Sequence, residues 1–138
     1  MKEVAVAVGV ILDESRQILL ARRPDDKHQG GLWEFPGGKI EAGETTPQAL
    51  VRELAEELGL QLDTGCMQPL TEVSFQYPDK AVRLDVWVVC LTSGQAAMAH
   101  GAEGQPIAWV TSEALSEHAF PAANEPIVEA IRKHLAIA

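Results

Sequence analysis

Between Gly38 and Leu60 the chain reads GKIEAGETTPQALVRELAEELGL, and this stretch limits what the rest can be. It fills the pattern G-x5-E-x7-R-E-U-x-E-E-x-G-U, with U apolar, without a gap. The matching positions are Gly38, Glu44, Arg52-Glu53-Leu54, Glu56-Glu57 and Gly59-Leu60. At average residue frequencies a chance match at a given start has a probability on the order of 10⁻⁹. Much of the stretch is helical by its own chemistry. Thr46 to Leu58 is rich in helix formers, Thr45 and Thr46 are candidate N-caps, and Pro47 suits a first turn. Gly59 follows the last periodic residue, where helices commonly stop. Ala49, Leu50, Leu54 and Leu58 recur at three- and four-residue steps and should face a core.

Glu53, Glu56 and Glu57 stand at i, i+3 and i+4, so they project from one face within a turn. Carboxylates so placed repel by about 0.2–0.5 kcal/mol per pair. A hard divalent cation would turn that repulsion into ligation, because Mg²⁺ favours oxygen donors. A solvated acidic face would explain an isolated cluster. It does not explain the glycine-rich entry, Glu44 and the Arg52-Glu53 pair at fixed spacing. Arg52 precedes Glu56 by four residues and adjoins Glu53, where it could hold a carboxylate or touch a phosphate. An ordinary surface salt bridge is the alternative for Arg52.

The 138 residues fit one domain, 1–138, with enough chain for a real core. A formal net charge of −9 leaves no basic footprint for a nucleic-acid polymer. A chain this acidic must handle polyphosphate through metal ions and a few local cations: Arg22, Arg23, Lys27, Lys39, Arg52, Lys80 and Arg83. Cys66 and Cys90 are too few for a disulfide framework and read as free thiols of a reducing compartment. The apolar run Val4 to Leu12 is too short to span a bilayer and has no basic leader. It reads as a strand, and the protein as cytoplasmic, without a membrane partner. No feature demands an oligomer, so a monomer is expected.

Val4 to Leu12 and Gln17 to Arg22 should form two strands around a turn at Asp13-Glu14-Ser15-Arg16. Pro24 to Gly31 reads as a polar loop. Trp33-Glu34-Phe35 reads as a short strand, with a tight turn at Pro36-Gly37-Gly38. Val73 to Tyr77 and Val82 to Leu91 are antiparallel strands joined around Pro78-Asp79-Lys80. Ile107 to Val110 is a further strand, and Thr111 or Ser112 caps a short helix ending near Glu117. Asn124 to Leu135 carries a helical stripe at Ile127, Val128, Ile131 and Leu135. Trp87 and Trp109 are expected in the core. The sum is an α+β chain with a mixed sheet between helices.

The 38–60 pattern resembles the Nudix box, the signature of hydrolases that cleave nucleoside diphosphates linked to another group. The resemblance implies the α/β/α Nudix sandwich and its sheet order. It implies Mg²⁺, with Mn²⁺ as a substitute, held by Glu53, Glu57 and the Gly37 carbonyl, with Glu56 on the same face and Glu103 a further ligand. Gly37 and Gly38 carry no side chain, so backbone can approach metal and phosphate closely. Glu44 steadies the metal's water shell or buttresses the loop. Lys39 contacts a phosphate or stays in solvent. The catalytic set so implied is Glu53, Glu44, Arg52 and Glu103, with Glu53 and Glu103 both candidates for the base.

Outside the box the chain is similar to the MutT-type branch of that family, the 8-oxo-dGTP diphosphatases. The similarity lies in Ala21-Arg22-Arg23, His28, Leu32 to Lys39, Tyr77-Pro78-Asp79, Glu103-Gly104-Gln105-Pro106 and Phe120 to Pro126. It implies a free nucleotide as partner, contacted by Arg23, His28, Glu34, Phe35, Pro36, Gly37, Lys39, Tyr77 and Asn124. The Asn124 amide pairs one acceptor with a donor group. Guanine in its 8-oxo form offers O6 and an N7–H, the complementary pair, whereas ordinary guanine has a bare N7. Capping the last helix is the other role open to Asn124. Phe35 and Tyr77 wall the base or pack in the core. The Gly-Leu-Trp-Glu-Phe run at 31–35 also occurs in related diphosphatases acting on cytidine nucleotides, so base identity stays open. A non-catalytic nucleotide sensor is the remaining alternative, and it would favour degenerate box carboxylates, which this chain lacks.

Overall fold

The computed structural model describes residues 2–23, 31–118, 120 and 124–137. Its strands are β1 (Lys2–Leu12), β2 (Ile18–Arg22), β3 (Trp33–Glu34), β4 (Gly37–Lys39), β5 (Met67–Gln76), β6 (Lys80–Cys90) and β7 (Ile107–Val110). The helices are α1 (Thr46–Leu58), α2 (Ser93–Met98) and α3 (Glu125–Ile137), with 3₁₀ turns at Thr64–Cys66 and Glu113–Glu117. The strands form one sheet in the order β3-β2-β1-β6-β5, with β4 on β1 and β7 on β2. β1 and β6 run parallel over their whole length, while the other pairs are antiparallel. The expected mixed sheet is present.

Alternation along the central strands sends side chains to two separate cores. Val8, Val10 and Leu12 of β1, with Ile18, Leu20, Val86 and Val88, pack against Ile127 and Ile131 of α3. Ala7, Ile11, Leu19 and Val89 face the other way, onto Ala49, Leu50, Leu54 and Leu58 of α1. The sheet therefore lies between α1 and α3. The α1 stripe is buried in full; in the α3 stripe Ile127 and Ile131 are buried, with Val128 and Leu135 half-buried against the same core. Trp87 and Trp109 are half-buried and pack against the edge of the α1-side core rather than within it.

The helix that carries the box is bounded by local chemistry. Thr45 is the N-cap: its hydroxyl accepts from the Gln48 N–H at 3.3 Å, and the Gln48 side chain accepts from the Thr45 N–H at 2.8 Å. This reciprocal pair leaves Thr46 to donate to Asp85 of β6. At the other end Gly59 sits at φ 69°, and its N–H reaches Ala55 while Leu60 reaches back to Leu54. A left-handed backbone there favours glycine.

One expectation needs correction. Pro36 to Gly38 does not form a tight turn: the chain bends at Pro36, and Gly37–Lys39 then pairs as a strand with Val6–Val8 of β1. Farther along, the same edge of β1 pairs instead with β2, at Leu12 and Ile18. Between the two partners the Gly9 N–H donates to the Pro36 carbonyl at 2.8 Å. The splayed edge leaves Gly37 and Gly38 beside the face of α1.

Candidate functional site

Arg52 organises the charges at the start of the box. Its Nε and Nη2 donate to the two oxygens of Glu44 at 2.8 and 2.9 Å, a two-pronged pairing between planar groups. Its Nη1 donates to Glu53 Oε1 at 2.7 Å, and Nη2 also reaches the Lys39 carbonyl at 3.0 Å. Arg52 thus takes Glu44 and Glu53 as its close partners. The hydrogen bonds from Arg52 and from the Glu41 backbone N–H pull the Glu44 carboxyl down to about 2. The same carboxylates raise Arg52 above its already high value. Of the two roles open to Glu44, this geometry is that of a group fastened to the loop entering α1.

One turn on, Glu57 behaves in the opposite way. Burial pushes its carboxyl up to about 9, helped by a hydrogen bond with Glu53 and by the negative charges of Glu53, Glu34 and Glu103. Four carboxylates from β3, α1 and the loop before β7 therefore share one neighbourhood. Glu56 is exposed, and the charges acting on Glu57 are those of the other three. Gly38 closes the space from the sheet side: a Cβ there would lie 2.4–2.6 Å from the Glu53 carboxylate atoms. Gly37 is tighter still, since its Cβ would meet the Ala7 carbonyl oxygen at 2.0 Å.

Among the described residues no three carboxylates surround a common point. Arg52 draws Glu53 to one side, and Arg23 draws Glu34 to another through a 2.9 Å ion pair. The donor set nevertheless fits a hard divalent cation. It offers carboxylate oxygens backed by a bare glycine backbone, and one of those carboxyls is driven toward neutrality by burial and by the neighbouring carboxylates.

Beside the carboxylates lies a cavity of about 270 Å³. Arg23, Glu34, Phe35, Gly37, Lys39, Tyr77 and Asn124 all line it, although they come from four separate stretches of the chain. Phe35 packs in the core, stacking on Phe120 at 5.2 Å with the rings 7° apart, and also lines the cavity. Pro36 is buried and is not among the lining residues. His28 lies outside the described residues, as does Lys27. A larger hollow, about 600 Å³, opens between the Glu113–Glu117 turn and α3, and no box residue lines it.

The Nudix domain family profile matches residues 7–130. The chain belongs to the Nudix family. It is 38% identical to the 8-oxo-dGTP diphosphatase of Escherichia coli K12 over 133 residues, covering 96% of this chain and 99% of that one. It is 37% identical to the CTP pyrophosphohydrolase of the same organism over 130 residues, covering 94% and 92%. A solved structure from work on MutT of Aliivibrio salmonicida and Vibrio cholerae superposes with a TM-score of 0.78 at 37% identity, covering 96% of this chain and 99% of that one. In this Nudix domain the sandwich expected from the resemblance is the observed fold.

Sequence reasoning assigned no role to Gln105. Its side chain bonds the Glu57 carbonyl and the Glu103 N–H. It lies in the Glu103-Gly104-Gln105-Pro106 segment that carries the resemblance, but nothing in the sequence told its role, because its partners are backbone groups of Glu57 and Glu103. No helix among the described residues is long and apolar enough to cross a membrane, and Cys66 and Cys90 are free thiols.

Proposed function

We propose that this Nudix domain, residues 1–138 acting as one unit, is a Mg²⁺-dependent 8-oxo-dGTP diphosphatase, a cytoplasmic monomer that clears oxidised precursors from the nucleotide pool. The observation that carries the reading is the adjacency of two things. A cavity holds Arg23, Phe35, Lys39, Tyr77 and Asn124, and Gly37-Gly38 join it to the Glu53–Glu57 carboxylates. One part suits a base and sugar; the other suits a polyphosphate chain with its cation. The similarity to the Escherichia coli 8-oxo-dGTP diphosphatase over nearly both whole lengths supports the same substrate.

In this reading Glu53 and Glu57 would hold the cation with the Gly37 carbonyl, with Glu56 and Glu103 as further ligands. The cation, Mg²⁺ or in its place Mn²⁺, supplies neutralising charge at phosphate oxygens and eases deprotonation of water. The chain's own residues do the rest. Arg52 fixes Glu53 in orientation, while Glu44 fixes Arg52. Lys39 and Arg23 add positive charge along the phosphate chain, and His28 approaches the sugar. Glu34, tied to Arg23, steadies that arginine at the cavity wall. Phe35 and Tyr77 flank the base and Pro36 shapes the loop beneath it. Water attacks the β-phosphorus, the bond from that phosphorus to the α–β bridging oxygen breaks, and the products are 8-oxo-dGMP and pyrophosphate. In this reading Glu53 or Glu103 takes the water's proton. Positioning and charge account for the catalysis, as they do for phosphoryl transfer generally.

The CTP pyrophosphohydrolase relative, nearly as similar, gives one second reading: a diphosphatase for cytidine nucleotides with the same carboxylate chemistry. Side-by-side hydrolysis of 8-oxo-dGTP, dGTP and dCTP with Mg²⁺, resolving monophosphate and pyrophosphate, decides between them. A strong preference for the oxidised purine is expected. Equal rates on 8-oxo-dGTP and dGTP, or a preference for dCTP, would overturn the substrate assignment.

A further inference from the structure

We infer that Gln105 is a positioning residue, which sets the distance between Glu103 and the carboxylates of α1. Helix α1 ends with carbonyls that have no partner inside the helix, and the loop before β7 answers them. The His100 N–H donates to the Leu58 carbonyl at 3.1 Å, and the Ala102 N–H to the Glu57 carbonyl at 3.0 Å. Gln105 adds a second donor to that Glu57 carbonyl, its Nε2 at 2.8 Å. The other end of the same amide, Oε1, accepts from the Glu103 N–H at 2.9 Å. One side chain therefore ties the backbone of Glu103 to the backbone of Glu57.

The loop leaves little room for another arrangement. Gly104 turns it at φ 84° with its N–H on the Gly101 carbonyl at 2.9 Å. A Cβ on Gly101 would lie 1.9 Å from the Gln105 carbonyl oxygen, so the two arms of the loop touch. Beyond Gln105, the Pro106 carbonyl accepts from the Arg22 N–H at 3.0 Å and β7 begins. Glu103 itself is exposed at the tip of this loop, yet its charge is felt at Glu57. Both functional ends of the amide are used, so neither a hydrocarbon nor a carboxylate of similar shape can replace it. Gln105→Met loses both bonds; Gln105→Glu keeps an acceptor for Glu103 but turns an oxygen toward the Glu57 carbonyl.

The inference rests on the role proposed above for Glu103, and its test separates the two. Partners that orient ligating groups typically contribute about 10–100-fold to metal affinity or activity. Gln105→Met should lower kcat on 8-oxo-dGTP by about 10–100-fold, leave KM within about twofold, and weaken Mn²⁺ binding to the free protein, read by electron paramagnetic resonance. In a Glu103→Gln background the same change should cost less than about twofold, because the group being positioned is already disabled. If Gln105→Met leaves kcat and Mn²⁺ affinity unchanged while Glu103→Gln impairs both, the positioning role is wrong and the Glu103 reading stands. If Glu103→Gln retains full activity, both fall. Should Gln105→Met unfold the domain, Gln105→Glu decides on the same readouts.

Discussion

Arg52 and Glu44 lie eight residues apart and meet through two hydrogen bonds of 2.8 and 2.9 Å, one guanidinium edge against one carboxylate. Glu44 sits in the loop before α1 and Arg52 on its second turn, so the pair fastens the glycine-rich entry to the helix. The Glu44 carboxyl is held at about 2, well below its ordinary 4.5. A carboxyl with a lowered folded value stabilises the fold above pH 4.5 and loses that contribution as pH falls toward 2. Arg52→Gln should therefore flatten the dependence of Tm on pH between about 5 and 2. Thermal unfolding of both proteins across that window checks it; parallel curves would show that the pairing does nothing for the folded state.

Gly37 and Gly38 should respond differently to the same added methyl. At Gly38 the Cβ meets only the far end of Glu53, 2.4–2.6 Å away, and a flexible side chain can retreat. Gly38→Ala should fold normally yet lose about 10²-fold in kcat/KM, because the carboxylate is displaced by around an ångström. At Gly37 the Cβ meets the Ala7 carbonyl at 2.0 Å, within a paired strand. Gly37→Ala should cost about 1–3 kcal/mol of stability as the backbone shifts. Tm and steady-state kinetics on the two variants separate the cases, and a stable, inactive Gly37→Ala would reverse them.

What could be read from the sequence is what depends on neighbours along the chain. Helix α1 was legible because Thr45, Pro47 and Gly59 are local signals, while the choice of Thr45 over Thr46 as N-cap came with the Gln48 pairing. Strand β4 was not, since Gly37-Gly38-Lys39 has no strand-forming side chain and pairs only because β1 offers an edge. Strand β5 extends upstream of Val73 to Met67, past Pro69, which lacks an N–H and is tolerated beside a bulge on an edge strand. Helix α2 has no fully buried residue and no apolar stripe, though Thr92 and Gln95 repeat the capping pattern of Thr45 and Gln48 and could have announced it. In the site, Glu53 and Glu57 were visible as a pair on one helix face. Glu103 was joined to them only through the family resemblance, and Glu34 was expected at the nucleotide, because those contacts join elements far apart in sequence.

Glu57 gives a second pH dependence, of opposite sign. Its carboxyl is raised to about 9, mainly by burial, so between pH 4.5 and about 9 it is neutral folded and ionised unfolded. The folded state then binds more protons, and stability falls as pH rises through that window. Glu57→Gln should be more stable than the parent at pH 8, with the gap closing toward pH 5. A divalent cation must displace the same proton, so Mn²⁺ binding at pH 7.5 should release about one proton. Titration calorimetry in buffers of different ionisation enthalpy measures it. Release of no proton would place the cation away from Glu57.

Asn124, immediately before α3, lines the cavity together with Gly37 and Lys39. Its amide oxygen suits an N7–H and its amide NH₂ suits O6, which 8-oxoguanine offers together. Ordinary guanine sets a bare N7 against that oxygen, an acceptor facing an acceptor. Leaving such a group unpaired in a desolvated site costs about 1–3 kcal/mol, or roughly 5–150-fold. Asn124→Ala should therefore lower the ratio of kcat/KM for 8-oxo-dGTP over dGTP by about 10–100-fold, chiefly through the oxidised substrate. Asn124→Asp should instead lower kcat/KM for both substrates, because the side chain no longer donates to O6, while its carboxylate still distinguishes N7–H from a bare N7. A cap role alone predicts a different result: lower Tm for Asn124→Ala, near-normal Tm for Asn124→Asp, and an unchanged substrate ratio for both. Measuring Tm and the ratio on the same two variants therefore tells recognition of the base from support of the helix.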